Sequence, residues 1–129
     1  MERLRRAGLA LALGAFALCG APPLQAGELV MLETRYCPEC AKFKRDVAPG
    51  YPASKAGRLL PLRSLDIDTD KMDVALTGPV VMTPTFVFVE HGIEIARFRG
   101  YPGPDRFYKI LNRVADGLIA LGHPEPGNR

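Results

Sequence analysis

Two cysteines separated by two residues, Cys37-Pro38-Glu39-Cys40, stand between an apolar run, Leu29-Val30-Met31-Leu32, and a short helical pattern, Ala41 to Val47. That order demands a strand, a tight turn and a helix that opens on the thiols. Unpaired N–H groups and the positive end of the peptide dipoles gather at a helix start, and both favour a thiolate at Cys37. Pro38 suits the first helical turn, where its missing N–H would have had no partner.

The segment ahead of that strand reads as a leader. Arg3, Arg5 and Arg6 form a positive start, Ala7 to Leu18 is almost unbroken apolar sequence, and Leu24-Gln25-Ala26 resembles a signal-peptidase site. Residues 1–26 are therefore expected to be a cleaved signal peptide, and 27–129 the exported domain, located in the periplasm. The apolar stretch falls short of the roughly 20 residues that cross a bilayer. Arg5-Arg6 as a twin-arginine signal and Cys19 as a lipidation site are the weaker variants. Cleavage leaves 103 residues, enough for one core, and lowers the formal charge from +3 to +1. That near-neutral balance gives no support to a nucleic-acid partner. Cys19 leaves with the leader, so the remaining thiols are the C-x-x-C pair, which closes too short a loop to be a useful staple.

Along the exported part, Glu28 to Thr34 reads as a buried strand and Leu59 to Ile67 as a second. Thr69 to Leu76 reads as a short helix ended by Gly78-Pro79. Gly50-Tyr51-Pro52 with Ser54, Lys55 and Gly57 reads as a loop. Val80 to Val89 is strongly β-prone, Glu90-His91-Gly92 is a turn, and Ile93 to Arg99 alternates, so the three form a hairpin. From Asp105 an amphipathic helix places Phe107, Ile110, Leu111, Val114, Leu118 and Leu121 on one stripe. The expected order is β-α-β-α-β-β-α: an α/β fold with a four-stranded mixed sheet and helices on both faces. Gly122 to Arg129 is expected to be a frayed tail.

These residues resemble the thioredoxin-like family: C-P-E-C after the first strand, Thr83-Pro84 before the hairpin, and the final amphipathic helix. More narrowly, Glu28-Leu29-Val30-Met31, Gly50-Tyr51-Pro52, Thr83-Pro84-Thr85-Phe86 and Gly100-Tyr101-Pro102-Gly103 resemble the SoxS type, the periplasmic thioredoxin-like proteins of bacterial sulfur-oxidation (Sox) systems. The resemblance implies that Cys37 is the nucleophile, that the bond to Pro84 is cis and lies beside the cysteines, and that the protein is a reductant of a thiol-bearing Sox carrier. Tyr36 stands where that family has Trp, and Met31 falls about where it has a buried Asp. The glutathione-binding signature of glutaredoxins is absent from Gly100 to Asp105.

Dithiol exchange assigns Cys37 to attack and Cys40, one helical turn on, to resolve. Tyr36, Pro38, Thr83 and Pro84 are candidate substrate-binding residues, the backbone of Thr83 being free to pair with an extended segment. Arg35 favours and Glu39 opposes a thiolate by charge, although an ordinary solvated role serves each equally well. A metal is not expected, since His91 and His123 cannot complete a four-ligand zinc set with the pair. Asp66, Asp68, Asp70 and Asp73 lack calcium-loop spacing and read as turn and cap residues. No cofactor is expected beyond a redox-active disulfide. The implied partners are a protein disulfide substrate and a membrane electron-relay protein, with the protein itself a monomer. The alternatives are a general periplasmic disulfide reductase for cytochrome c maturation or disulfide isomerisation, and a non-enzymatic redox-sensitive binding module.

Overall fold

The computed structural model describes residues 26–125. Residues 1–25 of the expected leader and 126–129 of the expected tail lie outside the described residues. Ala26 is described, and its N–H donates to the Leu59 carbonyl at 3.3 Å.

Four strands form one sheet: β1 (Glu28–Glu33), β2 (Leu62–Asp66), β3 (Thr85–Glu90) and β4 (Ile93–Arg99). Their order is β2-β1-β3-β4, with β1 parallel to β2 and antiparallel to β3, and β3 antiparallel to β4. Three helices accompany them: α1 (Pro38–Asp46), α2 (Lys55–Leu59) and α3 (Pro104–Ala120). β1 is central because it is apolar on both faces, as a doubly covered strand must be. The β3–β4 connection is a two-residue turn in which His91 and Gly92 both take positive φ, at 50° and 77°, the geometry that matches strand twist.

All three helices pack on one face of the sheet. There Leu29, Met31, Phe86 and Phe88 meet Phe43 of α1, Leu59 of α2, and Phe107 and Leu111 of α3. Phe43 touches Phe86 edge-on at 4.8 Å and Phe107 at 5.0 Å between ring centroids. Burying each such ring contributes about 1.5–3 kcal/mol. Val30, Leu32, Leu65, Val87 and Val89 line the other face, and Val74, Leu76 and Val80 cover it from an irregular segment.

That arrangement corrects the expected placement of helices. Thr69 to Leu76 is not a helix, and the observed order is β-α-α-β-β-β-α. Local polar bonds outcompete a helix there: the Asp66 N–H donates to Asp70 Oδ2 at 2.8 Å and the Asp68 N–H to Asp66 Oδ1 at 2.9 Å. Further on, the Ala75 N–H donates to the Gly92 carbonyl and the Ala75 carbonyl accepts from Glu94, so this backbone is already committed to β4.

A helix instead forms at Lys55–Leu59, where the sequence reads as a loop. Ser54 caps it, its Oγ accepting from the Gly57 N–H at 3.0 Å. Gly57 is required, since a Cβ there would stand 1.9 Å from the Tyr51 carbonyl oxygen. β3 also begins late, at Thr85 rather than Val80, leaving Val81 and Met82 exposed.

β4 alternates with a break. Register shifts at Phe88/Val89, so Phe88 faces Ala96 while Val89 faces Glu94, and Ile95 sits on the bulge. Ile93 and Ile95 are consequently exposed and Glu94 is buried. No helix of the described residues is long and apolar enough to cross a membrane.

Candidate active site

The site grows from the junction of β1 and α1. Cys37 is the N-cap of α1, with extended backbone, and Pro38 occupies its first turn. Cys37 and Cys40 form a disulfide, with an S–S distance of 2.05 Å and Cα atoms 5.2 Å apart. The Cys40 N–H donates to Cys37 Sγ at 3.1 Å, so an orphan donor of the helix start points at that sulfur. Cys37 is 9% exposed and Cys40 2%, which leaves Cys37 the more accessible of the pair.

A second segment meets this turn at the same end of the sheet. Leu32 near the end of β1 pairs with Thr85 at the start of β3, which puts Thr83-Pro84 beside the chain leading into Cys37. Thr83-Pro84 is a cis peptide, as the sequence resemblance implies. The hydroxyls of Thr34 and Thr83 are 3.4 Å apart. Two further bonds hold the segment: Thr85 Oγ1 donates to the Met82 carbonyl at 2.7 Å, and the Gly100 N–H to the Pro84 carbonyl at 2.8 Å.

The other candidates divide. Tyr36 is 89% exposed, directly before Cys37, and Pro38 is also exposed, whereas Pro84 is buried and Thr83 partly so. Arg35 is exposed and makes no ion pair or hydrogen bond among the described residues. Glu39 is engaged by Lys42, whose Nζ lies 2.7 Å from Oε1, in a pair half open to solvent. Solvent and Lys42 together weaken its field at the disulfide. Tyr101 packs edge-on against Phe43 at 5.6 Å and donates weakly to Asp46 at 3.4 Å, and burial raises its phenol pKa.

Below the disulfide the environment is apolar. Met31 is fully buried in the cluster that contains both cysteines, together with Phe43 and Phe86. Among the described residues the buried polar or charged side chains are Thr85, Glu94 and the phenol of Tyr51, which donates to the Leu60 carbonyl at 2.9 Å, and Glu94 belongs to the opposite face of the sheet. Glu33, two residues beyond Met31 on β1, is held by Lys44 of α1 at 2.6 Å.

Val81 and Met82 sit exposed beside Thr83; an unbroken β-prone run hides them in the sequence, and only the flanking Pro79 and Pro84 hint that the ladder starts later. Glu94 and Arg97 are likewise hidden, as polar residues of an alternating strand. Glu94 accepts from Arg97 and, at 2.7 Å, from the Thr77 N–H, while Arg97 donates to the carbonyls of Gly78 at 3.1 Å and Pro79 at 2.9 Å. The Arg97 guanidinium, aided by the Thr77 N–H, holds the Glu94 carboxyl down to about 2.

No group of three or more His, Cys, Asp or Glu side chains among the described residues is placed to hold a metal. A surface recess lined by Ala26, Gly27, Glu28 and Val89 to Gly92 lies at the opposite end of β1 from the disulfide. The chemistry available is thiol–disulfide exchange at a helix start, with exposed Tyr36 directly before Cys37 and exposed Val81 and Met82 leading into Thr83.

Comparison with known proteins agrees with this geometry. The profile of the thioredoxin-like domain matches residues 24–115. The reduced periplasmic thioredoxin SoxS from Paracoccus pantotrophus is 36% identical, with 71% of this chain and 97% of that one covered and a TM-score of 0.63. Fasciola hepatica thioredoxin is 22% identical, over 67% of this chain and 81% of that one, with a TM-score of 0.46. A search of curated proteins finds no match.

Proposed function

The chain belongs to the thioredoxin-like family and is a thiol-disulfide oxidoreductase, and from that premise we propose that it is a periplasmic dithiol reductant of a partner protein, the thiol-bearing carrier of a sulfur-oxidation pathway. The observation that carries the reductant chemistry is the Cys37–Cys40 pair at the start of α1, with the Cys40 N–H directed at Cys37 Sγ. In the reduced protein that donor and the helix start stabilise a Cys37 thiolate.

The thiolate of Cys37 attacks one sulfur of the partner's disulfide, and the other sulfur leaves as a thiolate and takes up a proton. Cys40, deprotonated, then attacks Cys37 Sγ; the intramolecular disulfide forms and the partner leaves with its second sulfur reduced. Two electrons pass to the partner, and a membrane electron-relay protein returns them to the pair. Tyr36, Pro38, Thr83 and Pro84 border the partner's segment, whose backbone pairs with that of Thr83. Export by cleavage after Ala26 delivers residues 27–129 to the compartment named for the SoxS thioredoxin.

The test is trapping. Cys40→Ser expressed in cells oxidising thiosulfate should accumulate a mixed disulfide between Cys37 and the sulfur carrier. Trapped proteins that never include the carrier, while others are captured, overturn the sulfur-oxidation assignment and leave a general reductant. Reduction of insulin by the wild-type protein no faster than by free dithiothreitol overturns the enzymatic reading itself.

A further inference from the structure

We propose that the Glu94–Arg97 ion pair positions the Met82–Pro84 segment for protein substrates, which makes Arg97 a positioning residue that acts on the site from the other face of the sheet. The inference rests on the reading of Thr83-Pro84 as the docking segment.

Arg97 lies on β4 and reaches across to the irregular chain between β2 and β3. Its guanidinium donates to the Gly78 and Pro79 carbonyls and to both Glu94 oxygens, of which Oε2 also accepts from the Thr77 N–H. Three successive residues, Thr77 to Pro79, are thereby fixed to β4. The chain then has only Val80, Val81 and Met82 before Thr83; Val80 packs on the second face of the sheet, whereas Val81 and Met82 are exposed, so no apolar burial sets where those two lie. Their path is set by its two ends. The downstream end is held by Thr85 on Met82, by Gly100 on Pro84 and by the Thr34–Thr83 hydroxyl contact. Arg97, together with the packing of Val80, supplies the upstream end. β4 holds the upstream end through Arg97, and Gly100, the next residue after the strand, holds the downstream one, so one short stretch of chain clamps both sides of the docking segment.

A stabilising role alone does not require this arrangement, since a buried ion pair is often matched in stability by apolar replacements of similar size. Carbonyl contacts at two consecutive residues instead specify where a chain runs, and a displacement of about 1 Å at a docking surface is enough to slow a reaction substantially.

The experiment compares Glu94→Gln/Arg97→Met and Glu94→Gln with the wild-type protein, using dithiothreitol as electron source and two disulfides, insulin and hydroxyethyl disulfide. The double variant keeps an acceptor for the Thr77 N–H but releases Gly78 and Pro79. Its KM for insulin should rise about fivefold or more, while its rate on hydroxyethyl disulfide, too small to need the docking segment, changes less than about twofold. An unchanged insulin KM overturns the inference, and so does a parallel loss on both disulfides. Should the double variant not fold, Glu94→Gln must itself raise the insulin KM about twofold, and an unchanged value is decisive against the proposal. A wild-type protein that does not accelerate insulin reduction removes the functional reading first, an outcome distinct from all of these.

Discussion

The hydroxyls of Thr34 and Thr83 lie 3.4 Å apart although 49 residues separate them, and they join the chain entering the cysteine turn to the chain entering the cis proline. Thr34→Val keeps the shape and removes the contact. Thr83 is only partly buried, so water replaces its lost partner and the cost is about 0.5–1 kcal/mol in a urea denaturation curve. A loss above that range means that the two segments are coupled more tightly than this one contact accounts for.

Reduced Cys37 should react ahead of Cys40. It is the more exposed of the two and receives the Cys40 N–H, so its alkylation by iodoacetamide should reach half-rate below the pH at which an ordinary thiol does. Mass spectrometry of partly alkylated protein identifies the modified cysteine. Preferential labelling of Cys40 reverses the assigned roles of attacking and resolving sulfur.

Glu39 should matter little to the redox balance. Its carboxylate is half exposed and paired with Lys42, and an exposed charge interaction is worth roughly 0.2–1 kcal/mol. Glu39→Gln should therefore raise the reduction potential by only about 5–20 mV, measured against a glutathione buffer. A lowered potential contradicts the sign of the electrostatic argument.

Acid should loosen the second face of the sheet, which is intact at neutral pH. Arg97, with the Thr77 N–H, holds the Glu94 carboxyl at about 2, below its ordinary 4.5. A depressed carboxyl contributes stability that is complete above the ordinary value and drains away as pH falls towards the folded one. The wild-type protein should thus lose about 1–3 kcal/mol from this group between about pH 5 and pH 2, and Glu94→Gln should lose correspondingly less. Parallel pH profiles for the two proteins would falsify the role of this carboxylate.

Met31 should behave as core and nothing else. It is fully buried beneath the disulfide with Phe43 and Phe86, so Met31→Ala should cost about 2–5 kcal/mol and Met31→Leu less than about 1.5 kcal/mol. Exchange rates of the Leu variant should match the wild type, because neither side chain carries a proton to give or take.

Much of the site was legible in the chain because its determinants are local. Cys37 to Cys40 between an apolar run and a helical pattern defines a strand–turn–helix, His91-Gly92 defines the hairpin turn, and the stripe containing Phe107 and Leu111 defines α3. The start of β3 was less legible: the β-prone run from Val80 hides that Pro84, unable to donate to a ladder, delays it to Thr85. Tertiary structure alone decided what covers the second face of the sheet. Thr69 to Leu76 has the composition of a helix, yet its backbone is taken by aspartate side chains and by β4, partners that no local period records. The five-residue α2 is too short to show a period and depends on Ser54 and on the closeness of Gly57 to Tyr51. Glu94 and Arg97 look like solvated charges on an alternating strand; a one-residue bulge turns Glu94 inward, and only the folded chain brings the carbonyls of Gly78 and Pro79 within reach of Arg97.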